Sequence, residues 1–275
     1  MHTVTSADGT AIAYEQIGAG TAGTVILVGG ALEDRRSPKL TDLAAALAAL
    51  DLTVLVYDRR GRGDSGDTPS VYQAGHEIDD LAALVAAAGG AAALFGWSAG
   101  AVLALRAAAS GRIPGLTRVV AFEPPFVVDR TGHVPPQDAG TRLEQLLAEG
   151  KTGKAAAYYL RKVMGVPWTM VTTMRLTPYW RTMKNLATST AHDWAVIGPY
   201  TRGEALRPAD WAELTVPVLV LAGTDSAASV KTAAAATAAA LPLAHHRELP
   251  RLGHNQNVEL IAAPTADFLT GKGAI

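Results

Sequence analysis

Hydrophobic positions in this chain follow two rhythms. Short, largely apolar runs at 24–28, 52–57, 91–95, 117–122 and 216–222 have the length and β-branched content of buried strands, and a further strand is expected near 245–249. Between them lie stretches of helix-forming composition at about 38–50, 75–88, 99–110 and 228–241, and a final one ending near Leu269. Residues 2–17 predict two strands joined at Asp8-Gly9, a pair common in hairpin turns. Strand and helix alternate, which predicts an α/β fold: a mostly parallel sheet with helices on both faces.

The rhythm breaks once. From about 124 to 213 the chain shows helix-like segments and no convincing strand, so residues 1–123 and 214–275 read as a core domain and 124–213 as an inserted helical cap, or lid. Four of the five tryptophans (Trp168, Trp180, Trp194, Trp211) and four of the five methionines (Met164, Met170, Met174, Met183) lie in it. They either roof a pocket or form the segment's own small core, and the pattern leaves both readings open.

Composition narrows the function classes. A chain of 275 residues with 49% hydrophobic content can bury a large core. A formal charge of −1 gives no general pull toward nucleic acid or an anionic membrane, so the expected partner is a small-molecule substrate. No apolar run reaches the length of a membrane span. The N-terminus lacks the basic start and apolar core of a secretory signal, which makes a cytoplasmic location the expectation. The absence of cysteine excludes disulfides and thiolate chemistry.

Three features suggest chemistry that their context does not support. Gly18-Ala19-Gly20-Thr21-Ala22-Gly23 spells a dinucleotide fingerprint, but it precedes a strand instead of following one, and reads as a turn. The stretch from Asp58 to Gly66, with Arg59, Arg60 and Arg62, reads as a turn with local ion pairing, not a phosphate or adhesion site. His245 and His246 point to opposite faces of a strand, and His192-Asp193 reads as a surface or cap contact. Neither a metal nor a cofactor is expected.

The candidate chemistry centres on Gly96-Trp97-Ser98-Ala99-Gly100. It fits the G-x-S-x-G elbow, in which a strand turns sharply into a helix and leaves a serine on a strained backbone. In an open α/β sheet the working residues sit beyond the carboxyl ends of the strands. Ser98, Asp225 and His254 each follow a predicted strand, in the order serine, acid, histidine. His254 suits the general base and Asp225 the carboxylate that orients it, while Glu123, just past the preceding strand, competes for the acid's place. The amides of Ala31 and Ala99 are the expected oxyanion donors.

On these motifs, with the turn from Tyr57 to Ser65 and Gly253-His254 before the last helix, the chain resembles the α/β-hydrolase family over nearly its whole length. The resemblance implies an eight-stranded sheet with a lid after the sixth strand. Serine at position 98 sets the chain apart from dehalogenase and epoxide-hydrolase relatives, which carry aspartate there. Many relatives have His-Gly after the third strand, where this chain has Gly29-Gly30, and the Glu123-Pro124-Pro125-Phe126 stretch is similar to that of actinobacterial-type members. The expected activity is hydrolysis of an ester, lactone or thioester of a mainly apolar small molecule through an acyl-enzyme. The alternatives are a biosynthetic step such as carbon-carbon cleavage, deacylation or cyclisation, and a non-catalytic small-molecule receptor.

Overall fold

Eight strands carry the architecture: β1 (His2–Thr5), β2 (Ala11–Ile17), β3 (Thr24–Val28), β4 (Thr53–Tyr57), β5 (Ala92–Trp97), β6 (Leu116–Phe122), β7 (Val218–Gly223) and β8 (Ala244–Leu249). The computed structural model describes residues 1–68, 71–255, 257 and 259–272. The strands form one sheet in the order β1-β2-β4-β3-β5-β6-β7-β8. β1 and β2 pair as the expected hairpin, with Thr5 opposite Ala11, and β2 runs antiparallel to β4. All pairings from β4 to β8 are parallel.

Strand periodicity explains why the central strands read as largely apolar runs. In β3, Val25 and Leu27 point into one layer of the core while Ile26 and Val28 point into the other. The first layer is closed by α1 (Pro38–Ala48) and α10 (Glu259–Thr270), and the second by α2 (Ala74–Ala87), α3 (Ala99–Ala109) and α9 (Ala228–Ala240). Both faces being covered, no polar alternation is needed along these strands.

Between β6 and β7 the chain is helical: α4 (Ala139–Ala148), α5 (Thr152–Tyr158), a π-helical turn at Tyr159–Val163, α6 (Trp168–Met174), α7 (Tyr179–Leu186) and α8 (Thr190–Ile197), with short 3-10 turns after α7 and α8. The buried side chains of this segment, among them Trp180, Met183 and Trp211, continue the same apolar layer that α3 occupies. Trp194 is wedged between two glycines: a Cβ on Gly140 would lie 2.6 Å from its ring and one on Gly198 2.7 Å. Trp168 and Met170 face outward. Among the described residues no helix is long and apolar enough to cross a membrane.

Candidate active site

Ser98 sits between the last residue of β5 and the first of α3, with φ 53° and ψ −117°. A serine in that region is strained, and it holds only because the surroundings leave no alternative. The flanking glycines provide the room. A Cβ on Gly100 would come within 2.1 Å of the Val28 carbonyl oxygen, and one on Gly96 within 2.4 Å of the Ala101 Cα. Ala99, next along, opens α3, so its amide has no acceptor within the helix.

The carboxylate beside His254 is Glu123, where Asp225 was expected. His254 Nδ1 lies 2.5 Å from Glu123 Oε2. The other oxygen of Glu123 accepts from the Gly223 amide at 2.8 Å and the Ser226 hydroxyl at 2.5 Å. Burial disfavours the ionised form of Glu123, but the hydrogen bonds from His254, Ser226 and Gly223 outweigh it and hold the carboxyl below its ordinary pKa. An ionised carboxylate only accepts, so the proton of this contact belongs to Nδ1 and leaves Nε2 as the basic nitrogen. Asp225 is exposed, and its carboxylate accepts from the neighbouring Thr224 hydroxyl at 3.1 Å. The physical reason lies in the backbone. Glu123 adopts φ 47° at the end of β6, and its side chain is anchored at the end of β7, where an acid from residue 225 would have to act.

Gly29, Gly30 and Ala31 follow β3. A Cβ on Gly30 would lie 3.2 Å from the Trp97 carbonyl oxygen and 3.5 Å from Ser98 Cβ, so the loop packs directly on the elbow. The Gly30 amide donates to Glu33 Oε2 at 3.0 Å, and its carbonyl accepts from Arg62 Nη1 at 2.6 Å. Among the described residues no acceptor meets the Ala31 amide.

The arginines of the turn after β4 do not pair locally as expected. Arg59 grips Glu77 of α2 through two contacts of 2.6 and 2.7 Å and donates to Asp193 of α8 at 2.9 Å. Arg62 donates to the same Asp193 oxygen and to the Ser189 hydroxyl. Arg60 is held by Asp80 and Asp8, and Arg35 by Asp58. All four arginines are buried, as is Asp193, which therefore is no surface contact. His192 beside it is largely buried too and stacks on Tyr72 with ring centroids 3.8 Å apart. Burial pushes the Glu77 carboxyl up, but the Arg59 guanidinium overrides this and brings it to about 2.

Ser98, Glu123, His254, Ala31 and Ala99 all line one cavity of about 290 Å³. Its walls are mainly apolar, from Phe126, Val128, Tyr159, Val163 and Ile197 in the helical segment and Val230 and Ala233 on α9. Met164 reaches the cavity, whereas none of the four tryptophans of the segment does. Neither lysine nor arginine appears among the described lining residues. Asp129 does, and hydrogen bonds from the Thr131 hydroxyl and amide hold its carboxyl below the ordinary value. Among the described residues no group of histidine, aspartate and glutamate side chains is arranged to hold a metal ion. The glycine stretch 18–23 lies in the connection between β2 and β3.

A sequence profile of the alpha/beta hydrolase family matches residues 25–268. Among solved structures, an alpha/beta hydrolase from Sphaerobacter thermophilus is 43% identical, with a TM-score of 0.84 over 97% of this chain and 99% of that one. An esterase from a Rhodococcus species is 21% identical, with a TM-score of 0.65 over 99% of each chain. An enol-lactonase from Burkholderia xenovorans is 19% identical, with a TM-score of 0.65 over 98% of this chain and 97% of its own. No curated protein matches the chain.

Proposed function

The chain belongs to the alpha/beta hydrolase family, and from that premise we propose that it is a serine hydrolase acting on a neutral, mainly apolar ester, lactone or thioester. One observation carries the reading: a strained Ser98 opens onto the same cavity as a histidine whose Nδ1 is held by a buried carboxylate. In this reading Ser98 Oγ attacks the acyl carbonyl and His254 Nε2 takes its proton. Glu123 stabilises the imidazolium that results, and the amides of Ala31 and Ala99 bind the oxyanion. Collapse of the tetrahedral intermediate expels the alcohol or thiol, which collects the proton from His254. A water molecule activated by the same imidazole then releases the acid.

The Gly29-Gly30 loop is compatible with this role because of Arg62. The carbonyl of Gly30 and the amide of Ala31 belong to one planar peptide group and point in opposite directions. A guanidinium donating to that carbonyl therefore fixes the plane that aims the amide, and polarises it as a donor. Arg62 is thus a positioning residue in this reading, and Asp193 holds it.

The cavity wall limits the acyl group. With no lysine or arginine among its described residues and an ionised Asp129 present, a carboxylated substrate would enter uncompensated. The test is turnover of p-nitrophenyl butyrate and labelling by a fluorophosphonate. Ser98→Ala is expected to abolish both, and an ester with a free carboxylate on its acyl chain to react at least tenfold more slowly than its methyl counterpart. Labelling that persists in the variant would overturn the assignment of Ser98.

A further inference from the structure

A net charge of −1 conceals a strong asymmetry. Between residues 150 and 192 lie seven of the chain's 24 lysines and arginines and none of its 25 aspartates and glutamates, which leaves the remainder with 17 cations against 25 anions. All seven cations (Lys151, Lys154, Arg161, Lys162, Arg175, Arg181 and Lys184) are exposed. Lys151 pairs with Glu149, and Arg175 lies over the Trp180 ring. Carboxylates also lie near the segment: Glu33 and Asp34 beside Tyr179, Asp138 beside Tyr158, the buried Asp193 beside Tyr159, and Asp67 beside His192.

Interleaved with these cations are five of the largest exposed apolar side chains: Met164, Trp168, Met170, Leu176 and Tyr179, from 47% to 84% exposed. Exposed aromatic and aliphatic groups set among arginines and lysines are the composition of a surface that lies on a membrane, with the apolar groups at the acyl boundary and the cations at the phosphates. Met164 also lines the cavity, so the patch begins at its rim.

We propose that the surface of residues 161–184 docks on an anionic lipid bilayer, so that the mouth of the cavity faces the membrane and an apolar ligand passes between the two without crossing water. The charge sign selects an anionic surface. The place of Met164 favours lipid over a second protein copy, because a rigid partner seated there would stand across the rim, whereas a fluid surface does not. This docking is independent of the chemistry at Ser98 and is measured without turnover.

The experiment is cosedimentation of the protein with vesicles of phosphatidylcholine containing 30% phosphatidylglycerol, in low salt and again in 0.5 M NaCl. Binding is expected in low salt, weak binding to pure phosphatidylcholine, and release by salt. Each cation near the surface contributes about 1 kcal/mol, or about fivefold. The variant carrying Arg175→Ala, Arg181→Ala and Lys184→Ala should therefore bind about 100-fold more weakly, with hydrolysis of a soluble ester unchanged. Trp168→Phe should remove most of the blue shift in tryptophan emission on binding. No binding to the anionic vesicles, equal binding to neutral ones, or full binding by the triple variant would overturn the proposal. So would self-association that the triple variant abolishes in the absence of vesicle binding, since that would assign the face to a second copy.

Discussion

The sheet and the helical segment between β6 and β7 meet at Ser98, and they contribute in different currencies. The sheet places groups by backbone: Ser98 and Glu123 occupy the residues directly after β5 and β6, and Ala31 lies three residues past β3. Two of these backbones sit at positive φ, and the elbow depends on glycines that a single Cβ would jam. The helical segment places groups by side chain. It supplies Phe126, Val128, Tyr159, Val163 and Ile197 to the cavity wall, and reaches the core chemically through Asp193. The geometry of the candidate site is thus tied to strand ends, while the shape of the cavity is free to follow helix sequence.

That division can be broken most sharply at the acid. Glu123→Gln is expected to lower kcat for an activated ester about 10⁴-fold, because the imidazole loses the anion that holds its tautomer. Asp225→Asn should leave kcat within about twofold, and a large loss there would return the acid's role to β7. Arg62→Met comes next, and tests whether the helical segment acts on the chemistry at all. With the Gly30–Ala31 peptide released, kcat should fall about 10²-fold at nearly constant KM. Unchanged kcat would confine the segment to shaping the cavity.

A smaller effect concerns the ionic joint itself. The Glu77 carboxyl is held near 2 against an ordinary 4.5, so its stabilisation is complete above pH 4.5 and is lost as pH falls toward 2. Between pH 5 and 3 this amounts to about 2 kcal/mol. Urea unfolding of wild type and Glu77→Gln across that range should show a flatter pH dependence in the variant by about that amount. The smallest effect belongs to the wall: Val163→Ala should shift preference toward an acyl chain one carbon longer by about fivefold in relative kcat/KM.

Much of this molecule is legible along the chain. The strands at 24–28 and 117–122 are legible to within a residue from their largely apolar runs, since covering both faces of a parallel sheet demands such runs. The elbow was equally plain, because a strained serine needs its small neighbours at fixed offsets. Less was visible where partners are remote. Nothing near Arg62 announces Asp193, 131 residues away, and a cluster of arginines and aspartates in a turn reads as local pairing until the helices are packed. The tryptophans of the helical segment also read ambiguously, since composition says that they cluster but not which way each ring turns.

Local sequence therefore determined the alternation of strand and helix, the position of the elbow and the identity of Ser98 and His254 as candidates, all of which rest on periodicity and on conformational rules within a few residues. Tertiary structure alone decided that Glu123 meets His254, that Arg62 holds the Gly30 carbonyl and that Phe126, Tyr159 and aliphatic side chains, not the tryptophans, wall the cavity. Each of these depends on where a side chain ends after the backbone has been set, here by a φ of 47° at Glu123 and by the docking of α8 on α3. Spacing along the chain carries no record of either.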